Sequence, residues 1–124
     1  MAAGHFRLGT LVCIIDRNEL CIDGPTEDVM AVEPIGDRFA SFGWEVQRVD
    51  GHDMRAVTDA LDRIEPVQYG APRVLIADTI KGKGVSRMER DLGWHVGNLG
   101  ADDYLAVVAE LLAGRPAPVA GSLR

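Results

Sequence analysis

The stretch Leu11 to Gly24, LVCIIDRNELCIDG, constrains the chain most. It opens as an apolar, β-branched run (Leu11, Val12, Cys13, Ile14, Ile15), the pattern of a strand buried on both faces in a parallel sheet. At Asp16, Arg17 and Asn18 it turns abruptly polar. Ligands of open α/β sheets sit beyond the carboxyl ends of the strands, so chemistry is expected just past Ile15, with Asn18 the first candidate.

The rest of the chain repeats this alternation. Met1 to Leu8 reads as a helix tail or a frayed start. Ile22 to Thr26 is turn chemistry, with Thr26 placed as an N-cap and Glu27 and Asp28 suited to a first helical turn. A helix is expected over Pro34 to Phe42, where Ile35, Phe39 and Phe42 share a face and Gly43 supplies the stop. Trp44 to Val49 alternates as a strand, and Asp50-Gly51-His52-Asp53 turns into a helix over Met54 to Ile64, capped by Asp53. Pro66 to Pro72 connects to a third strand, Arg73 to Ile80, apolar enough to be central. Lys81 to Gly100 is a long, glycine-rich connection of the kind that clamps ligands. A last helix covers Asp102 to Ala113, with Asp102 or Asp103 as cap and Gly114 as stop. Residues 1–113 are thus read as one partial domain and residues 114–124 as a flexible tail.

Strand, helix, strand, helix, strand, loop, helix is the order of an α/β protein with a parallel sheet flanked by helices. Three parallel strands alone leave faces uncovered and edges unpaired, so the sheet is expected to be completed by something else.

Composition excludes several classes. A net charge of −6 over 124 residues offers no basic face for nucleic acid or an anionic membrane. No apolar run has the length of a membrane span and no signal-peptide pattern opens the chain, which makes a cytoplasmic location the expectation. Cys13 and Cys21 lack the spacing of a zinc or dithiol site and read as packing residues, with a reactive role for Cys21 the alternative. His5 has no second ligand near it and reads as a helix-end residue. His52 is open to an acid/base role or to a structural hydrogen bond in its turn.

Four collinear words, DRNELCIDGPTEDVM (16–30), VDGHD (49–53), TIKGKG (79–84) and WH (94–95), resemble the thiamine-diphosphate-binding half of transketolase. The type they resemble is the short N-terminal subunit of split transketolases, and the likeness runs from Met1 to about Asn98. It implies a fragment of a thiamine-diphosphate-binding domain of the PP type. It also implies transfer of a two-carbon ketol unit between sugar phosphates through thiamine diphosphate, with Mg2+ or Ca2+. By the same resemblance the Asn18 side-chain oxygen and the Leu20 carbonyl are metal ligands. Ile22 would pack against the cofactor rings, and Lys81 and His95 lie on the cofactor side, with His95 the proton-transfer or oxyanion-stabilising group. Magnesium chemistry is compatible with such a pair, since the ion takes a few protein oxygens and leaves the rest to phosphate and water. The residues alone leave Asn18 open to an Asx turn, Ile22 to an ordinary core contact and Lys83 to solvation.

Two features depart from the family. The glycine usual after the Asn is Glu19, and the glycine usual after the His is Val96. The family's Asp-bearing GDG segment and its pyrimidine-binding domain, source of an activating Glu, have no counterpart in these residues. The resemblance therefore implies companion subunits that supply both, and a chain that is inactive alone. The alternatives are a component of another thiamine-dependent enzyme, either deoxyxylulose-phosphate-synthase-like or a specialised ketol or acyl transferase, and a non-catalytic scaffold or assembly module.

Overall fold

The computed structural model describes residues 1–64 and 68–114, which fall into two compact units, one from Met1 to Ile80 and one beginning at Lys81. The first begins with a short helix α1 (Ala2–His5), then β1 (Val12–Arg17), a small antiparallel pair β2 (Leu20–Cys21) and β3 (Gly24–Pro25), and one turn of helix α2 (Thr26–Val29). Helix α3 (Ile35–Ser41), β4 (Glu45–Asp50), α4 (Met54–Asp62) and β5 (Arg73–Asp78) complete it.

Strands β1, β5 and β4 lie side by side in that order, all parallel. The third strand in sequence is the central one, as its apolar run leads one to expect, and Val74, Leu75, Ile76 and Ala77 are all buried. The register places Arg17, Asp78 and Asp50 level at the carboxyl ends of the three strands. Side-chain alternation then puts Cys13, Ile15 and Arg17 on one face with Val74, Ile76, Val46 and Arg48. Helix α3 covers that face so closely that a Cβ on Gly36 would lie 3.5 Å from Val46 and 3.7 Å from Ile76.

The expectation that the first strand is buried on both faces is corrected. Ile14, on the opposite face, is 60% exposed, and Val12 beside it is exposed as well. Strand β1 pairs only with β5 among the described residues, so it is an edge, and an apolar run does not reveal whether a helix exists to cover it.

Local signals account for most helix ends. After α3, Gly43 takes φ +79°, its N–H donates to the Ala40 carbonyl (2.9 Å), and the Trp44 N–H donates to the Phe39 carbonyl (3.2 Å). This is the Schellman arrangement, and the rings of Phe39 and Trp44 meet edge to face across it at 5.2 Å. Asp53 caps α4 as expected, accepting from the N–H groups of Arg55 and Ala56. Two caps are corrected. Thr26 is the first helical residue of α2, not its N-cap, because its hydroxyl is engaged elsewhere. The last helix is preceded by Gly100, so Asp102 and Asp103 sit in its first turn.

In the second unit, turns over residues 81–91 lead to a 3-10 turn, Leu92–His95, and to α5 (Ala101–Ala113). Val85 and Val107 are buried there, the Ser86 N–H donates to Glu110 Oε1 (2.9 Å), and Arg87 pairs with Asp103. Gly114 ends α5 as expected. The remainder of the expected tail lies outside the described residues, as do residues 65–67 of the Pro66 to Pro72 connection. No helix among the described residues is long and apolar enough to cross a membrane.

Candidate functional site

The candidate site is built on the carboxyl ends of the three parallel strands, which are tied to one another by short polar links. The Thr79 N–H donates to the Arg17 carbonyl (3.2 Å) and the Thr79 hydroxyl donates to the Asp16 carboxylate. The Gly51 N–H donates to the Asp78 carbonyl (2.7 Å). The turn approaches β5 so closely that a Cβ on Gly51 would lie 2.5 Å from the Thr79 methyl, which explains the glycine. His52 Nε2 accepts from the Ile80 N–H at 2.7 Å. His52 therefore serves as an acceptor fastening the turn to the end of β5, the structural alternative of the two open to it.

From this platform rises the bend that carries Asn18, Leu20 and Ile22. The Thr26 N–H donates to the Glu19 carbonyl (2.9 Å), which makes Leu20 and Pro25 a non-hydrogen-bonded pair of the antiparallel ladder. The main-chain groups of Leu20 consequently point away from β3. Its N–H donates to Asn18 Oδ1 (3.0 Å), and in an extended residue the carbonyl points to the same side as the N–H. Register thus turns the Leu20 carbonyl toward the side from which the Asn18 amide approaches. The Asx turn is formed, yet an amide oxygen has two lone pairs and one N–H occupies one of them. Two neutral, hard oxygens are the donor type that magnesium and calcium prefer. Among the described residues no group of three or more His, Cys, Asp or Glu side chains is disposed to hold a metal.

Glu19 has φ +65°. The glycine usual at this point in the family is explained by that left-handed backbone, which a side chain adopts only at a cost. Val96, by contrast, has φ −138°, so its replacement of a glycine meets no such constraint. Ile22 is 66% exposed and is not a core residue of this unit. Cys13 and Cys21 are free and half-buried, and the Cys21 thiol donates to the Gly24 carbonyl.

Beneath the bend lies a charged network that sequence reasoning passed over. Arg17 is 5% exposed, and its guanidinium donates to Glu33 Oε1 (2.8 Å), Thr26 Oγ1 (2.8 Å) and Glu27 Oε1 (2.9 Å). Glu33 also accepts from Arg48, which forks onto Asp78 through Nε and Nη2, both at 2.8 Å. The Arg17 guanidinium, with the Ile35 N–H and Arg48 adding to it, holds the Glu33 carboxyl down to about 2. The signal was present in the sequence: Arg17 follows Cys13 and Ile15 on the inward phase of the alternation, where a charge requires partners.

Lys81 and His95 belong to the second unit. Lys81 is half-buried at the start of the glycine-rich turn, where Gly82 takes φ +75° and the Arg90 N–H donates to the Lys81 carbonyl (3.0 Å). Its ammonium has no ion-pair partner among the described residues. Lys83 pairs with Glu89 (3.6 Å), whose carboxyl is held below the usual range first by the Gly84 N–H. His95 is exposed at the end of the 3-10 turn. That turn is held by Asp91, which accepts from the Gly93 N–H, and by Trp94, whose indole N–H donates to the Arg87 carbonyl.

Comparison with known proteins bears on what this platform is for. The family described as transketolase, thiamine diphosphate binding domain, matches residues 1–114. A transketolase family protein of Sinorhizobium fredii is 43% identical over 89 residues, covering 72% of this chain and 32% of its own length. An apulose-4-phosphate transketolase subunit of Phocaeicola vulgatus is 41% identical over 111 residues, covering 90% of this chain and 39% of that protein. The chain therefore spans about a third of the length of these curated relatives. Among solved structures, transketolase of Pichia stipitis in complex with sedoheptulose 7-phosphate superposes with a TM-score of 0.77 at 31% identity, over 89% of this chain and 16% of that one. The parallel sheet, its flanking helices and the polar bend at the end of β1 are thus the fold of that domain, and the chain belongs to the transketolase thiamine-diphosphate-binding domain family.

Proposed function

We propose that this chain is one subunit of a transketolase-like enzyme that transfers a two-carbon ketol unit between sugar phosphates, using thiamine diphosphate and a divalent cation, Mg2+ or Ca2+. The observation that carries the reading is the bend itself, where strand register turns the Asn18 amide oxygen and the Leu20 carbonyl to one side at the carboxyl end of the sheet. Two neutral oxygens are an incomplete set for a cation that neutralises a diphosphate, which supports a further anionic ligand from outside these residues.

When bound, thiamine diphosphate supplies stabilisation of charge on the transferred fragment, and the remaining roles fall to protein groups. Asn18 and Leu20 hold the cation, and Ile22 offers an exposed apolar contact for the cofactor rings. Lys81, on a turn whose glycines let backbone N–H groups approach closely, meets phosphate oxygens. His95 donates to or accepts from the oxygen of the substrate that changes charge during transfer.

The unpaired edge of β1 and its exposed Val12 and Ile14 support a companion that continues the sheet, since parallel sheets are covered on both faces. A second companion element would bring the pyrimidine-binding domain. Relatives are named for different sugars, apulose 4-phosphate and 6-deoxy-6-sulfo-D-fructose, so the substrate is left to assay.

The test is to co-produce the chain with the polypeptides encoded beside it and to assay ketol transfer from a panel of ketose phosphates and keto acids. The proposal expects transfer from a sugar phosphate by the assembly and none by the chain alone. Transfer only from a keto acid would assign the assembly to another thiamine-dependent class. Failure of the assembly to bind thiamine diphosphate with Mg2+ would leave only a scaffold.

A further inference from the structure

We propose that Arg17 is the positioning residue of the bend, its buried guanidinium holding the Asn18 and Leu20 oxygens in ligand geometry before any cation arrives. The proposal rests on the reading of Asn18 and Leu20 as cation ligands given above, and adds to it the group that sets their placement.

The connection can be followed atom by atom. Arg17 Nη1 donates to Thr26 Oγ1 (2.8 Å), the Thr26 hydroxyl donates to the Glu19 carbonyl (3.3 Å), and the Thr26 N–H donates to that same carbonyl (2.9 Å). Glu19 lies between the two ligand residues and has the left-handed φ of +65°. A residue with a side chain keeps such a conformation only where its surroundings over-determine it, and Thr26, itself held by Arg17, supplies two of the bonds that do so. The guanidinium is anchored on its other sides by Glu27 and Glu33, and Glu33 is tied through Arg48 to Asp78 at the end of the central strand. The bend is thereby referenced to the sheet and not only to its own short ladder.

Packing alone does not explain the arrangement. Positions 13 and 15 on the same face of β1 are apolar, and burying an arginine with two carboxylates is often no more stabilising than filling the space with a large apolar side chain. A fork with fixed donor directions does what an apolar residue or a lysine cannot, because it sets three acceptors at defined angles.

The test uses the full chain for one readout and the assembled enzyme for another. In the full chain without metal or cofactor, amide exchange of Leu20, whose N–H is bonded to Asn18 Oδ1, reports the geometry of the bend. In the assembly, the Mg2+ concentration for half-maximal thiamine diphosphate binding reports its use. Arg17→Lys keeps the charge and loses the fork. It should speed Leu20 exchange about tenfold relative to neighbouring β5 amides and raise the half-maximal Mg2+ concentration by about 10–100-fold, the range for groups that orient metal ligands. If Arg17→Lys does not fold, Thr26→Val, which removes the hydroxyl that joins Arg17 to the Glu19 carbonyl and leaves the main-chain bond in place, carries the same two measurements. Unchanged Leu20 exchange and Mg2+ dependence in the folded variant, with Asn18→Ala abolishing metal-dependent binding, would overturn the role of Arg17 alone. Exchange rising equally at all amides would also overturn it, by showing a general loss of stability. Asn18→Ala without effect on Mg2+ dependence would instead remove the cation site on which the proposal stands.

Discussion

Glu33→Gln probes the charged network under the bend through an equilibrium measurement. The Glu33 carboxyl is lowered from 4.5 to about 2, chiefly by its hydrogen bond from Arg17. At about 1.4 kcal/mol per pH unit, that depression corresponds to at most roughly 3 kcal/mol of stability. The Glu33 side chain is 30% exposed and its partner Arg48 is 45% exposed, so solvent screening reduces the contribution to about 1–2 kcal/mol. The sign follows from proton binding. Between about pH 2 and 4.5 the unfolded chain binds more protons than the folded one, so the contribution is complete above the unfolded value and disappears as pH falls through the folded value. Glutamine retains a hydrogen-bond acceptor for Arg17 and removes the charge. In urea unfolding at neutral pH, Glu33→Gln should therefore lower stability by about 1–2 kcal/mol, and the gap from the parent should close to a few tenths by about pH 2. A gap of the same size at both pH values, or none at neutral pH, would refute the reasoning.

Two further substitutions separate backbone strain from chemistry. Glu19→Gly relieves a left-handed residue and should raise stability by up to about 1 kcal/mol in thermal or urea unfolding; a loss would show that the Glu19 side chain contributes more than its backbone costs. His52→Ala removes the acceptor of the Ile80 N–H and should cost about 1 kcal/mol, whereas His95→Ala should leave unfolding unchanged and lower turnover of the assembly more than cofactor binding. Equal losses of turnover and binding in His95→Ala would move that residue to a purely cofactor-holding role.

Periodicity made the backbone of the fold legible. The apolar run 74–77 marked a central strand, Asp53 and Gly43 marked helix ends, and all of these depend on residues close in sequence. What escaped depends on contacts between distant segments. Whether Ile14 is covered is decided by elements that β1 cannot specify. Thr26 lost its capping role because Arg17, nine residues earlier, takes its hydroxyl oxygen as an acceptor. Glu33 and Arg48 became partners of Arg17 and Asp78 only when α3 and β4 brought them to one face. At the bend, the words around Asn18, Leu20 and Ile22 pointed to a site by resemblance. The direction of the Leu20 carbonyl follows from a ladder register that no local pattern encodes. Lys81 and His95 rest on the resemblance and on the glycine-rich turn.

The most direct test of the account is a calorimetric titration of thiamine diphosphate into the assembled enzyme, in Mg2+ and in EDTA, for the parent chain and for Asn18→Ala. If Asn18 holds the cation, the parent binds saturably only when Mg2+ is present and the variant does not bind. Binding of equal strength in EDTA, or in Asn18→Ala with Mg2+, would contradict it.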